Sequence, residues 1–216
     1  MENGHDPHLQ SGHLAVWFRF ELDEIINFMQ FSDVDLSVGS TSKYLELQTR
    51  IPRIAIVGAG FVGSTTAYAL MMSGMAVDIA LIDRDLRRAE GHVNDLRDAE
   101  LFSHTTRVFV GDFSDCCSAD ITVITAGVSQ AGQKSREEGM RETGAMVHGL
   151  VADVCREKPR GILLIASNPV DVMTYASWKW SGLPSERVIG SGTSLDASRF
   201  RRRLAERYGV ASTNVR

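Results

Sequence analysis

The sequence predicts an α/β fold built on a doubly wound parallel sheet. Three observations on its 216 residues lead there. From Arg53 onward, short apolar β-rich runs alternate with helical stretches. A glycine-rich turn joins the first run to the first helix. An acidic residue, Asp83, closes the second run twenty residues after the last of those glycines.

The elements follow in order. Arg53–Val57 is a short apolar run and reads as the first strand, with residues 61–72 helical behind it. Asp78–Ile82 is the second strand, followed by a charged helical stretch over 86–101. Arg107–Val110, residues 121–125 and residues 162–166 are further strands. Residues 136–157, Val170–Ser181 and residues 195–208 read as helices. Strands alternating with helices imply a parallel sheet covered on both faces, wound by right-handed crossovers.

Composition supports a globular chain and removes several classes. Hydrophobic residues make up 44% and charged residues 23%, which excludes a disordered tail, a collagen-like chain and a disulfide scaffold. A net charge of −4 argues against a general polyanion binder. The three cysteines form no zinc-spaced cluster and no framework, so a reducing cytoplasm is expected and no metal is. No apolar run approaches the roughly 20 residues of a membrane helix, and no secretory signal pattern opens the chain.

The chain divides near residue 50. Residues 1–50 carry 8 acidic and 3 basic residues, against 19 and 20 in the remainder. This acidic extension is expected to be poorly ordered, with a short amphipathic helix over 14–30 and a linker over 37–43. His5, His8 and His13 lie in it at irregular spacing and read as tail rather than metal ligands. Residues 51–190 form the expected nucleotide-binding domain. Residues 191–216 begin a second domain that is mostly absent from this chain.

The strongest motif is Gly58-Ala59-Gly60-Phe61-Val62-Gly63, between a strand and a helix. In that context it is the Rossmann dinucleotide fingerprint. Gly58 permits the tight turn, Gly60 lets backbone approach a pyrophosphate, and Gly63 lets helix and strand pack closely. The helix N-terminus presents free N–H groups to phosphate. Asp83 accepts ribose hydroxyls and repels a 2′-phosphate, which favours NAD over NADP. A flavin or another adenine nucleotide on the same fold is the alternative.

Further motifs follow in order: Thr125-Ala126-Gly127 after the fourth strand, then Gln130 to Arg136, Ser167-Asn168-Pro169-Val170-Asp171, and Gly190 through Asp196 and Arg199 to Phe200. From about Arg53 to the end, the chain resembles the N-terminal part of the NAD-dependent L-lactate/malate dehydrogenase family, of bacterial type. The resemblance implies hydride transfer between a nicotinamide and carbon 2 of a small 2-oxo or 2-hydroxy acid. It places Thr125, Ala126, Gly127 and Asn168 near the cofactor, with the fingerprint residues. Arg199 matches the guanidinium fork that grips the substrate carboxylate. Arg136 matches the mobile-loop arginine that polarises the carbonyl. Asn168 matches the asparagine that hydrogen-bonds substrate oxygen. Asp196 matches the carboxylate that orients a catalytic histidine.

Singly, each residue has a plainer reading. Arg136 begins a helix, Arg199 lies in a basic stretch, Asn168 stands where a helix cap would, and Asp196 sits in a first turn. Their shared order favours the family roles. By the same resemblance, Gln130 is the position that is Gln in lactate and Arg in malate dehydrogenases. A second substrate carboxylate needs a cation; the methyl of pyruvate does not. Arg201 and Arg216 match basic positions at which bacterial relatives bind fructose 1,6-bisphosphate.

The family's proton-donating histidine lies in a Gly-Glu-His-Gly segment that this sequence does not contain. The expectation is therefore a fragment of an L-lactate dehydrogenase, inactive as written and a homo-oligomer at full length. It has a small-molecule substrate and no nucleic-acid or membrane partner. A malate dehydrogenase, or a free-standing NAD-binding module, is the alternative.

Overall fold

The computed structural model describes residues 52–215, apart from 75, 77, 104, 105, 128–134 and 193. The side chains of Arg136 and Ser194 also lie outside the description. The readings made for residues 1–50, Gln130 and Arg216 fall on residues outside it.

Six strands form one parallel sheet: β1 (Arg53–Val57), β2 (Asp78–Ile82), β3 (Arg107–Val110), β4 (Ile121–Ile124), β5 (Ile162–Ile165) and β6 (Val188–Gly190). Their order across the sheet is β3-β2-β1-β4-β5-β6. The helices are α1 (Phe61–Ser73), α2 (Leu86–Asp98), α3 (Asp115–Ser118), α4 (Arg136–Arg156), α5 (Val170–Ser181) and α6 (Ser194–Tyr208). The chain winds outward from β1 to β3, returns to the centre at β4, and winds the other way to β6.

The apolar runs are continuous because both faces of the sheet are covered. In β1, Ile54 and Ile56 pack with Leu70 and Met71 of α1 and Val93 of α2. The alternate residues Ala55 and Val57 pack in the opposite layer with Val147 and Val151 of α4 and Met173 of α5. This is the period-two geometry of a strand that has two interiors and no solvent face.

Strands β1, β2 and β3 and helix α5 begin and end where the sequence pattern puts them. The second helix is shorter than expected: α2 stops at Asp98, and Glu100–Phe102 is a separate 3-10 turn. Leu101 and Phe102 there are 91% and 81% exposed, so they extend the apolar composition of the stretch without extending its buried face. β4 and β5 each end one residue early, since Thr125 and Ala166 already belong to the loops of the crevice. α3 and β6 were not foreseen; at four and three residues they are too short for a periodicity to register. At Gly190, the last residue of β6, a Cβ would collide with the Thr174 hydroxyl of α5. Among the described residues, no helix is long and apolar enough to cross a membrane.

The amino end of the sheet is closed by charge. Asp78 at the start of β2 accepts from Arg53 Nε at 2.9 Å and Arg107 Nε at 2.8 Å, joining three adjacent strands. Asp120 accepts the Arg53 backbone N–H at 2.8 Å. The Arg107 hydrogen bond is the main reason the Asp78 carboxyl titrates below its ordinary range; partial burial opposes it, and the two guanidinium charges add to it. A carboxylate whose pKa falls on folding stabilises the fold above the unfolded value of about 3.9, and that contribution is lost as pH drops through the folded value. Asp78→Asn is therefore expected to lower the urea-unfolding free energy by about 1–2 kcal/mol at neutral pH. The gap between the two proteins should close as the pH is taken below the folded value.

Candidate functional site

The strand order reverses between β1 and β4. In open parallel sheets, ligands bind in the crevice at the carboxyl ends beside such a reversal. The described motif residues follow the carboxyl ends of these strands. Gly58–Gly63 follows β1, Asp83 follows β2, Thr125–Gly127 follows β4, Ser167 and Asn168 follow β5, and Ser191 onward follows β6.

Each glycine of the fingerprint has its own constraint. Gly58 sits at φ +112°, and a Cβ there would lie 2.8 Å from Thr125 Oγ1 and 2.9 Å from the Ala126 nitrogen. A Cβ on Gly63 would overlap the Gly58 carbonyl oxygen, so α1 approaches the turn more closely than any side chain allows. Gly60 differs from both. It is exposed, and a Cβ on it would meet nothing within 4 Å. Its constraint is absent from the protein itself, as expected where a ligand must approach the backbone.

α1 starts on Gly60 with no side-chain cap and no acidic residue in its first turn. Its neighbours are capped. Asp85 accepts from the Arg88 N–H at 3.3 Å in α2. Ser135 and Glu138 form a reciprocal capping box on α4, at 3.2 and 3.0 Å. The first N–H groups of α1 are left for an anion, and the helix dipole favours one. These features fit the pyrophosphate of a dinucleotide. Val62 packs against the core, while Phe61 lies open at the mouth.

Asp83 does more than the motif requires. Its Oδ2 accepts the Ala59 N–H at 2.7 Å and its Oδ1 accepts the Asp85 N–H at 2.9 Å. The carboxylate thus holds the glycine turn, and each oxygen keeps a second lone pair. Thr125 Oγ1 donates toward the Gly58 carbonyl at 2.9 Å, with Val57 O at 3.2 Å. Buried Ser167 donates its hydroxyl to the Ala126 carbonyl. The sequence reading assigned no role to Ser167. The available signal was a hydroxyl residue just past a fully apolar strand.

The residues expected to bind substrate lie in the segments after these strands. Arg136 begins α4, after β4; Asn168 follows β5; Asp196 and Arg199 lie in the first half of α6, after β6. Asn168 is exposed, and α5 takes Pro169 as its N-cap without a side-chain bond, so Asn168 does not cap that helix. Arg199 and Asp196 pair with one another at 3.1 Å on the exposed face of α6. Arg201 Nε donates to the Val215 carbonyl at 2.6 Å, which fastens the segment after α6. His148 is a helix-face residue of α4, its ring edge-on to Trp180 of α5 with centroids 4.8 Å apart.

This is the architecture of a nicotinamide-dinucleotide-binding domain, and residues 52–190 match the family model described as lactate/malate dehydrogenase, NAD binding domain. The chain belongs to the lactate/malate dehydrogenase family, and NAD is the cofactor of the domain it contains. It is 46% identical over 164 residues to the L-lactate dehydrogenase of Geobacillus thermodenitrificans, covering 76% of this chain and 52% of that one. It is 44% identical over 163 residues to the probable L-lactate dehydrogenase of Schizosaccharomyces pombe, covering 76% of this chain and 49% of that one. Among solved structures, a lactate dehydrogenase from a Medee basin deep-sea metagenome superposes with a TM-score of 0.73 at 40% identity, covering 76% and 53% of the two chains. The ligand-bound minor L-lactate dehydrogenase of Enterococcus mundtii gives 0.73 at 37% identity, with the same coverage. The chain spans about half the length of the relatives it matches.

Two glycine substitutions separate folding from binding. Gly63→Ala forces α1 off the turn and should cost about 1–3 kcal/mol of stability, together with most NADH affinity. Gly60→Ala has room and an ordinary backbone angle of φ −77°. Its unfolding free energy should stay within about 0.5 kcal/mol of the parent, while NADH binding by fluorescence titration falls. A Gly60→Ala chain that binds NADH like the parent would contradict the placement of the pyrophosphate.

Proposed function

We propose that this chain is the cofactor-binding half of an L-lactate dehydrogenase, which interconverts pyruvate and L-lactate. The observation that carries the reading is that Arg136, Asn168 and Arg199 stand in the segments that follow three adjacent strands, β4, β5 and β6. A pure nucleotide binder has no use for two arginines and an amide in those segments. The similarity to L-lactate dehydrogenases supports the same activity.

The chemistry NAD supplies when bound is hydride transfer to or from carbon 2 of the acid. The chain's own residues bind and orient. The first turn of α1 and the Gly58–Gly60 backbone seat the pyrophosphate, and Asp83 accepts the ribose hydroxyls. Arg199 fixes the substrate carboxylate, a task suited to a planar fork. Arg136 and Asn168 stabilise charge growing on the carbonyl oxygen. Gln130 presents a neutral amide to the pyruvate methyl, where oxaloacetate would require a cation. Asp196 is placed to support a charged imidazole. Arg201 keeps its terminal amino groups for a phosphate, the basis of bisphosphate binding with Arg216.

The general acid is not among the described residues of the site. His92 lies in α2 and His148 in α4, and neither follows the carboxyl end of a strand. The 216-residue chain by itself is therefore read as binding NADH without turning over pyruvate. Loss of proton transfer alone slows such chemistry by roughly 10²–10⁴. We read the protein as cytoplasmic, since Cys116, Cys117 and Cys155 are all free thiols. We read it as a homo-oligomer, with exposed Leu101 and Phe102 as apolar surface for a second copy. Nucleic acid and membrane have no part in this reading.

The test is a hybrid enzyme. Residues 52–215 would replace the matching half of the Geobacillus thermodenitrificans enzyme, which supplies the remainder. The hybrid should oxidise NADH with pyruvate, and Arg199→Lys should raise KM for pyruvate by at least about tenfold. In the same hybrid, Gln130→Arg should move kcat/KM toward oxaloacetate by about 10²-fold. A hybrid that folds and binds NADH but prefers oxaloacetate from the outset would make the malate reading the correct one.

A further inference from the structure

We propose that Thr125 is a positioning residue for NAD: its hydroxyl carries the β1–β4 ladder one step past the strands and so fixes the glycine turn that faces the pyrophosphate. The proposal rests on the NAD-binding reading of the crevice.

The paired register of β1 and β4 ends at Val57 opposite Ile124. The next rung is still backbone, with the Thr125 N–H donating to the Val57 carbonyl at 3.0 Å. Beyond it the pleat stops, because Gly58 turns out of the strand at φ +112°. The Gly58 carbonyl then takes its hydrogen bond from the Thr125 side chain at 2.9 Å. On the other side, the Gly58 N–H donates to the Ile82 carbonyl of β2 at 2.8 Å, and the Ala59 N–H donates to Asp83 at 2.7 Å. The turn is therefore gripped from both neighbouring strands, by a carboxylate on the β2 side and a hydroxyl on the β4 side.

The device repeats one strand further out. The Ala166 N–H continues the β4–β5 ladder to the Ile124 carbonyl at 2.9 Å, and Ser167 then reaches the Ala126 carbonyl with its hydroxyl. β1, β4 and β5 are thus linked past their ends by two hydroxyls. Neither hydroxyl needs to touch the nucleotide. Thr125 acts through the backbone of Gly58, and its effect should appear only for ligands that contact that turn.

This last property separates positioning from plain stabilisation. Thr125→Val keeps the shape and removes the hydroxyl, whereas Thr125→Ser keeps the hydroxyl. In the 216-residue chain, NMR titration would compare ADP-ribose, which carries the pyrophosphate, with adenosine, which does not. Urea unfolding of each variant would establish the folded fraction. Thr125→Val should weaken ADP-ribose about tenfold, the size of one net hydrogen bond, and change adenosine less than about twofold. Thr125→Ser should restore ADP-ribose binding. Thr125→Ala set against Thr125→Ser makes the same comparison should valine not be accommodated. The proposal is overturned if the hydroxyl-free chain binds ADP-ribose like the parent, or loses both ligands equally. It is also overturned if Thr125→Ser is no better than Thr125→Val. A parent chain that binds no ADP-ribose overturns the NAD reading and this proposal with it.

Discussion

The close approach of α1 to the turn after β1 is the constraint on which the rest of the site depends. It is set by one missing Cβ, at Gly63, which would otherwise overlap the Gly58 carbonyl oxygen. With that contact made, the N-terminus of α1 is aimed into the crevice, and its first N–H groups emerge beside the ends of β1 and β4. Gly58 is then committed to a positive φ, which interrupts the pleat. That interruption leaves a backbone carbonyl beyond the ladder and brings Thr125 into use as its donor. A substitution at Gly63 would therefore disturb helix position, turn conformation and strand-end bonding together.

The two ends of the sheet solve the same problem with different chemistry. At the amino end, Asp78 is shared by the guanidinium groups of Arg53 and Arg107 across β1, β2 and β3, and Asp120 before β4 accepts the Arg53 backbone N–H. At the carboxyl end, the loops are joined chiefly by backbone groups and by the hydroxyls of Thr125 and Ser167, with Asp83 the one carboxylate on the turn. An N-cap side chain contributes about 1 kcal/mol to a helix. α2 and α4 have that contribution and α1 does without it. α3 and α5 also start without a side-chain cap, but α1 is the one whose first turn opens on the glycine turn. Some stability is given up there to keep positive potential available for an anion.

Most of the fold was legible because its signals are local. A strand with two interiors is apolar at nearly every position, and β1, β2 and β3 could be bounded to the residue on that ground. The glycine fingerprint was legible for the same reason, since its spacing is local, although only Gly63 answers to a neighbour within the motif: Gly58 is held off by Thr125 and Ala126, and Gly60 meets nothing. What was not legible depends on tertiary approach. Asp83 could be read as a ribose acceptor from its distance past Gly63. Its bond to the Ala59 N–H, 24 positions away, follows only when β1 and β2 lie side by side. Ser167 meets Ala126 across 41 positions and gave no pattern of its own. β6 and α3 failed for a simpler reason: at three and four residues, each spans barely more than one period of its repeat, too few for a pattern to show. The turn from 99 to 102 misled in the opposite direction, since Leu101 and Phe102 look like core residues and are not buried.

The residues proposed for substrate binding show how a site can be built and kept ready. Arg199 is not idle: it pairs with Asp196 one helical turn away, the spacing that brings two side chains together on a helix surface. Both partners are largely exposed, at 63% and 74%, so water and salt screen the pair and it contributes little to the fold. Opening it costs correspondingly little. A buried ion pair would have locked the guanidinium and left an uncompensated charge on release. On the reading proposed for Arg199, this weak pairing suits a residue that must exchange one carboxylate for another. Asp196 is freed by the same exchange. The two motif carboxylates differ accordingly: Asp83, just after β2, is fixed by backbone bonds that shape the glycine turn, whereas Asp196 of α6 is held only by its exposed pair with Arg199.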